Sequence, residues 1–214
     1  MIEAILPDFV RVAEVIGAAT DAQLEPIETA TVGRAVDSRL REFATGRACA
    51  RRAMVELGVE ARGIARGENR EPVWPDDVVG SITHTKGYCA AAVALKSAGI
   101  TLGIDCEPDS PLPRGVLDRI STETERTHLA GLPEGINWDR LLFSAKESVY
   151  KALWPVVREW IGFSDAEIRF EAAAAGNAGR FHAQVGSPLR VEVEGQYLAA
   201  EGYAMTSVVT GAIR

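Results

Sequence analysis

The stretch GSITHTKGYCAAAVALKSAGITLGIDCE, residues 80–107, predicts three consecutive β-strands separated by two short turns that contain glycine. A helix fits residues 37–57, upstream of these strands, and a second fits residues 137–153, where Pro155 is expected to end it. Four more segments between 168 and 210 are compatible with strands of an antiparallel meander. Because strands and helices follow one another without regular βαβ alternation, the sequence indicates the α+β class.

The composition excludes several classes of protein. The 214 residues are 47% hydrophobic and 25% charged, as in an ordinary globular chain, and the net charge of -7 argues against a nucleic-acid partner. No apolar run approaches the roughly 18 residues of a membrane span, and the acidic start MIEAILPDF lacks the basic residues of a signal peptide, so we expect a cytoplasmic protein with no membrane partner. Cys49, Cys89 and Cys106 have no C-x-x-C spacing, which predicts buried thiols.

Positive charge is concentrated between residues 34 and 70, where nine arginines face five acids, a local excess of four. The arginines are residues 34, 39, 41, 47, 51, 52, 62, 66 and 70. Such a cluster indicates a site for a small polyanion. On a helical projection Arg52 falls on the solvent side, Arg39 on the apolar stripe and Arg47 at the margin of that stripe. An arginine beside a buried stripe requires an anionic partner.

Two carboxylates end the third predicted strand. Alternation along the strand places Asp105 and Glu107 on one face, with Gly103 leaving space beside them, and directs Cys106 into the core. Paired carboxylates of this kind can hold a magnesium ion whose other ligands are phosphates and water. The alternative is that the strand simply ends in a polar turn.

The predicted helix contains FSAKESVYK, residues 143–151, in which Glu147 and Lys151 lie one turn apart. They form either a surface ion pair or part of a site, with Glu147 as a metal ligand or base and with Lys146 and Lys151 set against phosphate oxygens. His84 ends the first predicted strand and is either a structural residue or a further site residue.

Five segments follow one another in the order GRACARRAM (46–54), REPVWP (70–75), GSITHTKGY (80–88), LGIDCEP (102–108) and FSAKESVYKALWP (143–155). This order closely resembles the 4'-phosphopantetheinyl transferase superfamily and is most similar to its trans-acting branch, the enterobactin-type and surfactin-type enzymes. The resemblance implies transfer of the 4'-phosphopantetheine group of coenzyme A to a serine of an apo acyl or peptidyl carrier protein. Adenosine 3',5'-bisphosphate would leave, and the product would serve fatty-acid, polyketide or nonribosomal peptide synthesis, siderophores included.

The resemblance also implies an architecture and a set of site residues. Two similar α+β lobes related by a pseudo-twofold axis, here 1–105 and 106–214, would form one compact monomer with coenzyme A and Mg²⁺, or Mn²⁺, between them. The implied metal ligands are Asp105, Glu107 and Glu147, and the implied catalytic residues are Glu147, Lys151 and Asp105. The implied coenzyme A contacts are Arg39, Arg47, Arg66, Glu71, Pro72, Ser81, Thr83, His84, Lys146 and Lys151.

The chain departs from the family pattern at Arg70, where many relatives have glycine, directly before the Glu71-Pro72 backbone that the resemblance implies beside adenine. Two other functions stay open from the sequence: a noncatalytic module that binds in the coenzyme A cleft, and a metal-dependent phosphohydrolase. The segment 111–133 mixes apolar and charged residues. It would either recognise the carrier protein or form ordinary core contacts.

Overall fold

The structure of the protein is a computed structural model that describes residues 1–17, 22–32, 36–172, 176–187 and 189–211. Arg34, one of the arginines counted above, lies outside these ranges. The helices are α1 (Pro26–Val32), α2 (Asp37–Glu56), α3 (Leu117–Ile120), α4 (Glu123–Ala130) and α5 (Trp138–Val157). The strands are β1 (Arg11–Ile16), β2 (Ala65–Arg66), β3 (Pro72–Val73), β4 (Val78–Thr85), β5 (Tyr88–Leu95), β6 (Ile100–Pro108), β7 (Ala166–Ala172), β8 (Ala178–Val185), β9 (Val191–Ala200) and β10 (Tyr203–Gly211). The α+β class is confirmed.

The first lobe is a three-stranded antiparallel sheet in the order β1-β5-β4, covered by helix α2. Strand β5 is central and is buried along its length except at Leu95, which explains why its sequence is an almost unbroken apolar run. The helix comes close to the sheet at Gly46, because a Cβ atom there would lie 3.0 Å from the Ile82 side chain. Small residues at this contact therefore set the distance between the helix and the sheet.

The second lobe is a five-stranded antiparallel sheet in the order β6-β10-β9-β8-β7, and the predicted meander is confirmed. Helix α5 lies on β6 at Gly103, where a Cβ atom would come within 2.0 Å of the Ser148 carbonyl oxygen. The space expected beside Gly103 is thus filled by helix backbone. The opposite face of β6 carries Ile104 and Cys106 into a separate apolar cluster, as the alternation predicts.

Strand β6 joins the two lobes. All of its residues pair with β10, so the predicted lobe boundary between 105 and 106 falls inside a strand that belongs wholly to the second sheet. Between β6 and β4 of the first lobe, hydrogen bonds to side chains take the place of backbone-to-backbone pairing. The Ile104 N–H donates to Ser81 Oγ and the Cys106 N–H donates to Thr83 Oγ1, each at 3.0 Å. Each lobe has its own long helix packed on an antiparallel sheet. The pseudo-twofold relation between the lobes stays a prediction.

Helix α5 passes through Pro155 and ends only at Val157, contrary to the predicted end. Proline removes one hydrogen bond from the ladder, and in the last helical turn that loss is small because few bonds follow it. Arg158 then closes the helix in a left-handed conformation, with φ of 56°. Among the described helices, none has the length and apolar character needed to cross a bilayer.

Candidate functional site

Asp105 lies near the end of β6 and is nearly buried. Its Oδ1 atom accepts a hydrogen bond from Lys151 Nζ at 2.7 Å and another from Thr83 Oγ1 at 3.3 Å. Its Oδ2 atom is buried without a hydrogen-bond partner. A buried carboxylate oxygen without a partner is unfavourable unless a cation or donor supplies one.

Glu107 lies two residues farther along the same face, and Arg140 of α5 approaches its carboxylate at 3.3 Å. Partial burial and the neighbouring Asp105 charge raise the pKa of Glu107 to about 7. Arg140 also donates to the carbonyls of Ser110 and Pro111, at 2.9 and 3.2 Å. The start of α5 therefore fastens the loop that follows the acidic strand.

Glu147 and Lys151 face this strand end from helix α5. Burial raises the pKa of Glu147 above its ordinary value. Burial opposes the charge on Lys151, but Asp105 and Glu147 outweigh it and raise the pKa of the ammonium group, which also donates to the Ile104 carbonyl at 3.1 Å. Glu147 and Lys151 are thus partly buried and belong to the site. They do not form the surface ion pair that was the alternative.

The acidic residues suit a hard divalent cation, although within the described ranges no three acidic, histidine or cysteine side chains form a ready metal cluster. Two observations support the fit: the unpartnered Asp105 Oδ2 and the raised pKa of Glu107 beside it. A cation held there would give Asp105 Oδ2 a partner. It would also offset the repulsion between the Asp105 and Glu107 carboxylates, which contributes to the raised pKa of Glu107.

A cavity of about 360 Å³ lies in the first lobe, and its wall is rich in cationic side chains. Those side chains are Arg39, Arg47, Arg66 and Arg70, and His84, Pro72 and Ile82 are among the other lining residues. Glu42 is the acidic residue in the wall. The arginine cluster seen in the sequence therefore converges on one cavity able to attract a polyanion.

The cavity arginines are held by protein groups. Arg47 is buried, donates to the Ile64 carbonyl at 2.8 Å, and lies 4.3 Å from the centre of the Phe43 ring. Burial lowers the pKa of its guanidinium to about 10, and the group stays charged at neutral pH. Arg39 is more than half exposed and pairs with Glu42 at 3.1 Å while contacting His84. Burial, together with Arg39, lowers the pKa of His84.

A second cavity, of about 210 Å³, lies between the lobes. Glu147 and Lys151 line it from α5, and residues 69–72, 74 and 80–82 line it from the first lobe, Glu71 and Ser81 among them. Both cavities share Arg70, Pro72 and Ile82. An extended ligand can therefore run from the arginine cavity into the cleft below helix α5.

Three further residues that were expected to contact coenzyme A, Ser81, Thr83 and Lys146, also have protein partners. Ser81 and Thr83 are buried, and their hydroxyl oxygens accept the β6 N–H groups at the lobe junction. Contrary to the expected phosphate contact, the Lys146 ammonium is directed into the second lobe, where it bonds Glu125 at 2.9 Å and the Phe163 carbonyl at 2.6 Å. Lys146 is buried with its partner, so it lies away from the cleft.

Sequence reasoning missed two buried carboxylates that support the site. Glu125 pairs with Lys146, and the capping box of α4, formed by Thr122 and Glu125, marks it in the sequence as T-x-x-E. Glu28 pairs with Arg51 and accepts the Ile64 N–H at 3.0 Å, which holds the strand that carries Arg66. Pro26 at the first position of α1 was the available signal for that helix.

An anion cavity that opens toward paired carboxylates and a helix-borne lysine is typical of proteins that transfer phosphorus-containing groups. Two family models match the chain: the 4'-phosphopantetheinyl transferase N-terminal domain over residues 27–94 and the 4'-phosphopantetheinyl transferase superfamily over residues 101–208. The first match ends at residue 94, near the end of β5, and the second begins at residue 101, the second residue of β6, in agreement with the placement of that strand in the second sheet.

Named relatives extend the likeness over the whole chain. The 4'-phosphopantetheinyl transferase Npt of Nocardia iowensis is 42% identical over 97% of this chain and 99% of that protein. The 4'-phosphopantetheinyl transferase PptT of Mycobacterium tuberculosis is 42% identical over 86% of this chain and 85% of its own length. Enterobactin synthase component D of Escherichia coli is 38% identical over 61% of both chains. The chain therefore belongs to the 4'-phosphopantetheinyl transferase superfamily, as its motifs predict.

Proposed function

We propose that this chain transfers the 4'-phosphopantetheine group of coenzyme A to a serine of an apo carrier protein and releases adenosine 3',5'-bisphosphate. Membership of the transferase superfamily supports the reaction class. The observation that carries the proposal is the continuity of the two cavities through Arg70, Pro72 and Ile82. The nucleotide would occupy the arginine cavity, and the pyrophosphate would reach Lys151 and Glu147.

The residues at the strand end have distinct parts in this proposal. Asp105, Glu107 and Glu147 would hold Mg²⁺, or Mn²⁺, which supplies positive charge to offset that of the pyrophosphate. Lys151 adds a second positive charge on the side of the leaving group, and its bond to Asp105 fixes its position. Arg140, on the same helix, pairs with Glu107.

Glu147 is the proposed base. Its burial raises the pKa of the carboxyl above its ordinary value, which makes the carboxylate a stronger base toward a serine hydroxyl. As that proton moves to Glu147, the serine oxygen forms a bond to the phosphorus on the pantetheine side. The bond from this phosphorus to the bridging oxygen breaks, and the bridging oxygen leaves with adenosine 3',5'-bisphosphate beside Lys151.

Intact-mass spectrometry tests the proposal directly. A panel of apo acyl and peptidyl carrier proteins is incubated with this protein, coenzyme A and Mg²⁺, with Asp105→Ala as the matched variant. We expect one phosphopantetheine on a carrier serine, lost without the metal and in the variant. Binding of coenzyme A without any transfer across the panel would favour the noncatalytic binding module, and release of bisphosphate without a carrier would favour the phosphohydrolase.

Residues 111–133 stay the proposed carrier-recognition segment. Within it, Ile120 is buried and Leu117 is half-buried against the core of the second lobe, which supports ordinary core contacts for these two residues, whereas Leu112 and Val116 are partly exposed. Fatty-acid, polyketide and nonribosomal peptide carriers all stay open, and the likeness to enterobactin synthase component D supports a siderophore system as one of them. The monomeric state and the cytoplasmic location stay predictions.

A further inference from the structure

Arg70 occupies a backbone conformation that suits glycine. It lies in the loop between β2 and β3, where the Arg70 N–H donates to the Gly67 carbonyl at 3.0 Å and the Gly67 N–H donates to the Glu71 carbonyl at 2.8 Å. The φ angle of Arg70 is 72°, in the left-handed region. A side chain in that region crowds its own backbone, and glycine has no such steric cost. This turn therefore fits glycine better than arginine, as the helix end at Arg158 does, and the surroundings of the Arg70 side chain decide whether it has a role.

The Arg70 side chain differs from the other arginines of the cavity in having no protein partner. Arg47 donates to the Ile64 carbonyl, Arg66 donates to the Val32 carbonyl at 3.3 Å, and Arg39 pairs with Glu42. Across the described part of the chain, nothing accepts a hydrogen bond from the Arg70 guanidinium. It is exposed and lines both cavities. Its donors are thus available to a ligand that lies where the cavities meet.

The charges around Arg70 indicate what that ligand is. Four arginines and one carboxylate, Glu42, line the arginine cavity, which leaves an excess of three positive charges. In the cleft cavity, by contrast, Glu147 and Glu71 balance Lys151 and Arg70. Uncompensated positive charge therefore belongs to the arginine cavity, where it fits a doubly charged phosphate monoester better than a neutral group.

We infer that Arg70 binds the 3'-phosphate of coenzyme A and makes this enzyme selective for the 3'-phosphorylated nucleotide. The inference rests on the proposed function, since it takes the nucleotide half of coenzyme A as the occupant of the arginine cavity. A guanidinium can meet a phosphate through two parallel hydrogen bonds, which a lysine cannot do. The left-handed backbone at Arg70 has a steric cost, and this conformation directs the side chain to the place where the two cavities meet.

The test compares wild type, Arg70→Gly and Arg70→Lys. Calorimetry measures the Kd of adenosine 3',5'-bisphosphate, and kinetics compare coenzyme A with 3'-dephospho-coenzyme A as the donor. We expect Arg70→Gly to weaken bisphosphate binding about tenfold or more, the range of a lost hydrogen bond to a charged group. The KM for coenzyme A should rise by a similar factor, the KM for the dephospho donor should change little, and Arg70→Lys should fall between wild type and the glycine variant.

Thermal unfolding supplies the structural control. Because glycine relieves the turn, Arg70→Gly should unfold at a temperature no lower than wild type, so weaker binding cannot be attributed to a damaged fold. Equal bisphosphate affinity in wild type and Arg70→Gly would overturn the inference, and so would an equal loss for both donors, which would place Arg70 at the pyrophosphate. Failure of the wild-type protein to bind the bisphosphate would instead reject the proposed function.

Discussion

Replacing Glu147 with glutamine is expected to slow phosphopantetheine transfer by about 10²- to 10⁴-fold, the range that general acid–base catalysis contributes. Glutamine keeps the size and polarity of the side chain and removes its ability to accept the serine proton. The KM for coenzyme A should change much less than kcat, because the arginine cavity that would hold the nucleotide does not include Glu147. Single-turnover transfer to a carrier protein measures the effect on the chemical step.

Glu134→Gln is the matched control for this variant. Glu134 is exposed in the turn before α5, so the same chemical change there should leave transfer at the wild-type rate. A Glu147→Gln enzyme with full turnover would show that another group takes the proton, and Glu147 would then keep only its proposed place at the metal.

Replacing Lys146 with methionine is expected to lower the free energy of unfolding by about 3–5 kcal/mol, the usual effect of removing one partner of a buried ion pair. The Lys146 ammonium is nearly inaccessible, and its partner Glu125 is fully buried. Without the lysine, the carboxylate keeps its bonds to the Thr122 and Ile168 N–H groups, at 2.7 and 2.8 Å, but loses its counterion. Urea denaturation followed by tryptophan fluorescence measures the change.

A second substitution separates lost charge from lost packing. In Lys146→Met/Glu125→Gln the uncompensated charge is gone while an amide oxygen can still accept one of the two N–H groups, so part of the stability should return. Lys86→Met, at an exposed turn, controls for the loss of a lysine. A Lys146→Met protein within about 1 kcal/mol of wild type would mean that the pair is not maintained in solution.

The fold was predictable wherever the sequence carries a local period. The three strands of residues 80–107 lie within two residues of their expected limits, because turn-forming residues bound each apolar run. The alternation of side chains along β6 placed Cys106 in the core and Asp105 on the opposite face, and the structure agrees. A period of two residues leaves no other arrangement once one face is buried.

The failures concern partners that are distant in the chain. Lys146 directly precedes Glu147 in the chain and was expected to contact a phosphate, but its direction is decided by Glu125, which belongs to a different helix. The hydroxyl groups of Ser81 and Thr83 resemble ligand contacts until the N–H groups of β6 are seen beside them. A local sequence pattern does not show such tertiary contacts. A family resemblance indicates which residues match a motif, but not which distant residues contact them in this chain.

The way β4 meets β6 has a consequence for solubility. An unpaired strand edge can template the addition of a strand from another molecule, which is a common start of aggregation. In this chain the Ser81 and Thr83 hydroxyls occupy the N–H groups of Ile104 and Cys106 without forming a continuous sheet. The strand that carries Asp105 can therefore border a ligand cleft while the N–H groups of Ile104 and Cys106 are withheld from a second molecule.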